Sequence, residues 1–402
     1  VARVKVGVTA PAGFVAAGVS ADIKGNGSGK KDVALVVSQV PCAAAGVYTT
    51  NVVKAAPVVL TKRRTDGGRL QAVVVNSGNA NACTGEQGIA DAAEMARLAA
   101  AALDLSPDVV GVASTGVIGV PLPMDRVAAG IAAAAAALSP DGGDDAARAI
   151  MTTDTFPKQT AVQVELGGVV ATIGAMAKGS GMIHPNMATM LGFVTTDADV
   201  APAALQQALQ EATARSFNMI TVDGDTSTND MVIAMANGLA GNPTVVPGTP
   251  DFQAFAAALE EVLIYLAREI ARDGEGATKL IEMRVEGARS PEDARLAARA
   301  VCGSALVKAA VFGEDANWGR VLAALGYSGA QFDPGRVDLW LGDVQMMAAG
   351  APVAFSEEAA AEVLRQREVV FTAHLHAGDA SATAWGCDLT YDYVKINGSY
   401  RT

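Results

Sequence analysis

Histidine is the scarcest chemically useful residue in this 402-residue chain: there are three, His184, His374 and His376. A serine or cysteine nucleophile activated by imidazole must use one of them, and the chain has no Gly-x-Ser-x-Gly elbow. His374 and His376 alternate in a strand-like run, so both are expected on one face, but no third ligand accompanies them to complete a metal site. The four cysteines, Cys42, Cys83, Cys302 and Cys387, are scattered without metal-type pairing and read as thiols of a reducing compartment. Aromatics make up only 5% while hydrophobic residues make up half, so a large core must come from Ala, Val, Leu and Ile. Basic residues are outnumbered, 30 against 42 acidic, for a net charge of −12 without a basic stripe; this argues against nucleic acid and anionic membrane as partners. The longest Ala-rich run, 128–138, is interrupted by Gly130 and too short to span a bilayer. Residues 1–25 lack a basic start followed by an apolar run, and the expected location is cytoplasmic.

What is present is a regular alternation of apolar strands and amphipathic helices. Apolar runs predict strands at 32–38, 47–49, 58–60, 70–76 and 108–113, and a hairpin over 159–166 and 169–177 around Gly167 and Gly168. Helices are expected over 88–105, from Pro123 onward, over 144–151, 202–217 and 252–272, and the last third alternates the two kinds of element. The glycine cluster 25–29 before Lys30 is no phosphate loop: it is one residue short, lacks the following Ser or Thr, and no strand precedes it. The acidic loop 223–230 departs from the calcium-hand template, with Thr228 in place of its glycine and Ala234 in place of its last glutamate.

The stretch 178–191, Lys-Gly-Ser-Gly-Met-Ile-His-Pro-Asn-Met-Ala-Thr-Met-Leu, is different. Gly179 and Gly181 leave the backbone soft, Pro185 stops any helix, and a buried strand is expected from Met190. The hydroxyl of Thr189 therefore sits where a pliable loop enters a core strand. Thr189 needs no histidine if it becomes an N-terminus, because a free α-amine has a pKa of about 8 and can take the hydroxyl proton. The chain would first cut itself, the hydroxyl attacking the carbonyl of Ala188, which is small enough to allow the approach. Elsewhere Thr115-Gly116 stands at a strand end, where a hydroxyl and a backbone N–H can converge on one anion, and Glu275 lies between Gly274 and Gly276.

Residues 178–191 resemble the self-cleavage motif of the ornithine acetyltransferase family, the glutamate N-acetyltransferases of arginine biosynthesis. The similarity extends in order through 76–85, 114–119, 151–158, 216–230, 273–280, 317–321 and 385–402. One departure is Ala316, where the family usually has proline. The resemblance implies an α/β fold layered α/β/β/α, of the kind shared with β-aminopeptidases. It implies cleavage between Ala188 and Thr189, giving an α chain (1–188) and a β chain (189–402) with a C-terminal subdomain from about 280. It implies that Thr189 accepts acetyl from N2-acetylornithine, releases ornithine and passes the acetyl to glutamate, in ping-pong order. Thr115 and Gly116 would form the oxyanion hole. Thr152, Lys178, Thr189, Glu275, Asn397 and Thr402 would contact substrate. Lys178 is the cation expected at the α-carboxylate, and Glu275 either attracts the ornithine ammonium or tunes the Thr189 amine. No metal or prosthetic group is implied; acetyl-CoA is a substrate only of bifunctional members, and the residues do not say whether this chain uses it. Paired αβ units in a heterotetramer are expected. Two other readings stay open at this point: a self-processed aminopeptidase or amidase, and an uncut binding protein without catalysis.

Overall fold

The structure, a computed structural model, describes residues 3–4, 7–184 and 190–399. Among these, nine strands form one sheet: β1 (Arg3–Val4), β2 (Phe14–Val19), β3 (Val33–Tyr48), β4 (Arg69–Asn79), β5 (Val110–Val117), β6 (Lys158–Leu166), β7 (Val169–Lys178), β8 (Leu191–Thr196) and β9 (Met231–Ala236). Their order is β1-β6-β7-β8-β9-β3-β4-β5, with β2 also on β3. The expected strands at 32–38 and 47–49 are the two ends of the 16-residue β3. Its pairing with β4 slips between Val37 and Cys42, and its second half turns to β9 instead. An irregularity of this kind bends a strand, and here it folds the sheet into two layers.

The side-chain alternation of β3 shows the result. Ala34 and Val36, with Val73, Val75 and Ala113, pack against Leu191, Phe193, Met231, Ile233 and Met235, so the two sheet halves meet face to face. Val33, Leu35 and Val37 point the other way, onto the helices Gly85–Leu103 and Met124–Ala136 through Met95, Ala99, Val127 and Ile131. On the far side, Val162, Ile173, Val194 and Val232 pack with Leu205, Leu209, Phe255, Leu259 and Leu266 of the helices Pro202–Arg215 and Pro250–Arg272. The layers therefore run α/β/β/α, as expected. Small residues carry much of these contacts, so the scarcity of aromatics is met by close approach.

A second sheet holds β10 (Leu280–Ala288), β11 (Asp338–Leu341), β12 (Val344–Ala348), β13 (Ala351–Pro352), β14 (Glu368–His374) and β15 (Ala380–Cys387), in the order β13-β12-β11-β14-β10-β15. Helix Pro291–Gly303 covers it, and its apolar residues merge with the core around helix Pro250–Arg272.

Several local readings differ. Residues 58–60 are not a strand but part of helix Ala56–Asp66, with proline in its first turn and Arg63 and Arg64 in its last. β9 was not foreseen, although its apolar run Met-Val-Ile-Ala-Met-Ala carries the signal. The polar C-terminal segment is the helix Tyr391–Ser399. His376 lies beyond the end of β14 with φ +49 and bonds Asp338 at 2.7 Å, yet its ring centroid is 3.9 Å from that of His374, so the two histidines share one face as expected, though only His374 is in the strand. No helix among the described residues is long and apolar enough to cross a membrane.

Candidate active site

Folding the sheet on itself brings the end of β5 to the end of β7. Lys178, the last residue of β7, donates a 3.3 Å hydrogen bond from Nζ to Thr115 Oγ1, and both residues are buried. Next to Thr115, Gly116 has φ +134, and a Cβ there would lie 2.3 Å from the Gly78 carbonyl carbon and 2.5 Å from the Asn79 nitrogen. Only glycine fits against that backbone. The segment is further fixed by Ser114 Oγ donating to Asn76 Oδ1 at 2.6 Å, and by Asn229 Nδ2 donating to the carbonyls of Ala80 (2.6 Å) and Ser114 (2.8 Å). The polar crowding of 76–85 is thus a lattice of buried amide bonds that holds the end of β5.

Thr115, Gly116, Thr152, Lys178, Glu275 and Asn397 all line one cavity of about 110 Å³. Thr152 is placed by its own N–H, which donates to Asp154 Oδ2 at 3.0 Å. Glu275 is buried at the turn after helix Pro250–Arg272; its N–H donates to the Ser180 carbonyl at 3.0 Å and its Oε2 accepts from Asn397 Nδ2 at 2.8 Å. A Cβ on Gly181 would come within 2.4 to 2.6 Å of the Glu275 carboxyl, so that glycine leaves room for the acid. Ala188, Thr189 and Thr402 lie outside the described residues. A larger recess of about 690 Å³ adjoins the cavity, shares Lys24, Thr152 and Thr153 with it, and is also lined by Lys30, Lys31 and Arg148.

The loop 223–230 brackets the segment that carries Thr189. Asp223 accepts the N–H groups of Met182 (2.6 Å) and Ile183 (2.8 Å) on one side, and Asp230 Oδ1 accepts the Met190 N–H (3.0 Å) on the other. Those carboxylates hold backbone, which is why the loop departs from a calcium template; among the described residues no group of three or more side chains could hold a metal ion.

Charge is concentrated behind the cavity. Lys158 Nζ sits 2.7 Å from Asp154 Oδ1 and 2.6 Å from Asp273 Oδ2, all buried. Burial opposes the Asp154 charge, but Lys158, Lys178 and the Gly179 N–H overcome it and hold the carboxyl down at about 2. Burial lowers the Lys178 ammonium below the usual lysine range, with Lys158 adding to the effect and Asp154, Asp230 and Glu275 opposing it. Burial pushes Asp230 well above the ordinary carboxyl range against the pull of Met190, Ser227 and Lys178. Reading the sequence missed Asp154, Lys158, Asn229, Asp230 and Asp273; the polar breaks at 152–155 and 223–230 were the available signal.

The model of the ArgJ family matches residues 15–402. The chain belongs to the ArgJ family. It is 80% identical over 396 residues to the arginine biosynthesis bifunctional protein ArgJ of Symbiobacterium thermophilum, covering 98% of each, and 56% identical to that of Caldanaerobacter subterraneus subsp. tengcongensis, again covering 98% of each. A crystal structure of the arginine biosynthesis bifunctional protein ArgJ from Bacillus halodurans is 50% identical; its alignment covers 52% of this ArgJ-family chain and 98% of the solved one, with a TM-score of 0.51.

Proposed function

We propose that this enzyme of arginine biosynthesis transfers acetyl from N2-acetylornithine to glutamate through an acetyl-Thr189 intermediate, after cutting itself between Ala188 and Thr189. The observation that carries the reading is the meeting of Thr115, Gly116, Lys178 and Glu275 in one cavity, with Lys178 opposite Leu191 at the start of β8. Family membership supports the chemistry.

The geometry suits the steps. The Thr189 amine takes the hydroxyl proton as Oγ bonds the acetyl carbon, and the carbonyl electrons move onto oxygen. Lys178 donates to Thr115 Oγ1 and so leaves the Thr115 hydroxyl proton free to meet that oxyanion, beside the Gly116 N–H. Collapse breaks the C–N bond, and the ammonium proton leaves with ornithine. Glutamate then attacks the acetyl-threonine by the reverse sequence. Glu275, whose Oε2 accepts from Asn397 Nδ2, would receive the ornithine side-chain ammonium, and Thr152, Lys178 and Thr402 would complete the substrate contacts. The products of the cut stay together as α and β chains, assembled in pairs, in the cytoplasm, without a metal or prosthetic group. In this reading acetyl-CoA is the second acetyl donor, and Lys30 and Arg148, which line the adjoining recess, are the cations its phosphates would meet.

Intact mass of the purified protein tests the cut, and a brief reaction with acetylornithine followed by peptide mass spectrometry tests the intermediate. Two fragments parting before Thr189, and an added acetyl on Thr189, are expected. A persistently uncut chain, or full transfer activity in Thr189→Ala, overturns the reading; hydrolysis without transfer to glutamate assigns the aminopeptidase chemistry instead.

A further inference from the structure

The glycine-rich turn between β2 and β3, which is no phosphate loop, is held against the active site by Asp32. Its Oδ1 and Oδ2 accept the N–H groups of Ala21 (2.6 Å) and Ile23 (2.7 Å), and its carbonyl accepts the Ser77 N–H at 2.8 Å. Ile23 is buried, and Asp22 Oδ1 closes the turn by accepting from the Asn26 and Gly27 N–H groups, both at 3.0 Å. Lys24 therefore leaves a fixed backbone beside the end of β4. A Cβ on Gly78 would come within 3.0 Å of Lys24 Cγ, so the lysine stem lies across that glycine, and Gly78 is the residue packed against Gly116. Lys24 is exposed and lines both the cavity and the larger recess, so it stands on the rim between them.

Among the described residues the cavity is lined by two cations, Lys24 and Lys178, and by three acids, Asp223, Asp225 and Glu275. The acids gather at one end: burial first, then Asp223, Glu275 and Asp225, raise the Tyr393 phenol above the ordinary tyrosine range. That end suits the side-chain ammonium of ornithine. Glutamate brings a different group to it. The two amino acids share an α-amine and an α-carboxylate, but one side chain ends in a cation and the other in an anion. Lys178 is buried, donates to Thr115, and faces Asp154, Asp230 and Glu275. One such cation can answer the α-carboxylate that both substrates carry, but not a second carboxylate at the far end of the same molecule. A side-chain carboxylate left beside three acids is repelled by them and loses its hydration without compensation.

We propose that Lys24 is a specificity-determining residue for the second half of the transfer: its ammonium receives the side-chain carboxylate of glutamate, and swings towards the recess when the ammonium of ornithine occupies the acidic end. The inference rests on the two-step transfer proposed above. Lysine suits the part, because a point charge on a flexible four-carbon stem serves one occupant and leaves room for the other. Its rim position keeps the charge in contact with water between the two states, so the cation itself is not held at a desolvation cost.

Ping-pong kinetics separate the halves, since kcat/KM for the donor reports formation of the acetyl-enzyme and kcat/KM for the acceptor its breakdown. Lys24→Met keeps a stem across Gly78 and removes the charge. Its kcat/KM for glutamate is expected to fall about 10- to 150-fold, the equivalent of one charged hydrogen bond and carried mostly by KM, while kcat/KM for acetylornithine stays within about 3-fold of wild type. Lys24→Arg, which keeps the charge, should restore most of the loss. Lys24→Gln gives the same reading should the methionine disturb folding, which melting temperature reports. A wild-type kcat/KM for glutamate in the uncharged variants overturns the proposal. An equal fall for acetylornithine does so too, because it would place Lys24 on the shared α-carboxylate or in the frame of the site. A fall confined to acetyl-CoA as donor would assign Lys24 to the recess and overturn it as well. A wild-type enzyme that moves no acetyl from acetylornithine to glutamate removes the transfer reading itself, and this proposal with it, before any variant is compared.

Discussion

Lys158 and Asp273 form a buried ion pair at 2.6 Å across 115 residues of chain. Lys158 opens β6, and Asp273 follows the helix Pro250–Arg272 and comes two residues before Glu275. Asp273 also accepts from the Thr155 N–H at 3.0 Å and, through its carbonyl, from Ser180 Oγ at 2.6 Å. The pair joins residues on both sides of the 188–189 bond and sets the turn that presents Glu275. Lys158→Met would leave Asp154 and Asp273 as uncompensated buried charges. In a Thr189→Ala background, where the chain is expected to stay whole, urea unfolding should show a loss of about 3–5 kcal/mol. Adding Asp154→Asn and Asp273→Asn should recover part of it. A loss under 1 kcal/mol would mean that water reaches the site.

Asp154 and Asp230 should give opposite pH signatures in that background. The folded Asp154 carboxyl titrates at about 2 against an ordinary 3.8, so the protein gains stability from its charge above pH 4 and loses it as pH falls towards 2. Asp230 binds its proton more tightly folded than unfolded, so it costs stability as pH rises past 4. Asp154→Asn should therefore be less stable than its parent at pH 7, with the gap closing below pH 4. Asp230→Asn should be more stable than its parent at pH 7, and equal to it at pH 3. Melting temperatures measured from pH 3 to 8 check both signs.

These groups also show what could be read from residue order. Apolar runs located β4 to β8 because a buried strand needs continuous or alternating hydrophobes wherever it sits. The bend in β3 had one local signal, Pro41, which cannot donate to a ladder and falls where the register with β4 shifts; which partners the two halves then find was not legible. Lys178, Thr115 and Glu275 were recognisable by their motifs, but their convergence depends on that bend. Asp230 and Asn229 read as turn residues, since an Asp-Gly-Asp loop has ordinary turn chemistry. Their bonds run to Met190, Ala80 and Ser114, 40 to 149 residues away, and no local pattern encodes such partners.

Gly181→Ala isolates the Glu275 carboxylate without touching it. The new Cβ would stand within 2.6 Å of all three carboxyl atoms, and the acid must move away. A hydrogen bond to a charged group is worth about 1.5–3 kcal/mol, so KM for acetylornithine should rise about 10- to 150-fold with little change in melting temperature. Glu275→Gln should reproduce the rise. Wild-type KM in both variants would remove Glu275 from the substrate site.

Lys178 and Thr115 should behave as one unit. If the ammonium serves mainly to orient the Thr115 hydroxyl, removing either loses the same oxyanion contact. Thr115→Val is expected to lower kcat about 100- to 1,000-fold, in the range for loss of one oxyanion donor. Lys178→Gln should lower it at least as much, because it also leaves Asp154, Asp230 and Glu275 without their shared cation. In the double variant kcat should fall little below Lys178→Gln alone, a coupling of at least 1 kcal/mol by double-mutant cycle. Additive losses would mean that Lys178 acts apart from Thr115, on the substrate carboxylate, and KM for glutamate would then carry most of its effect.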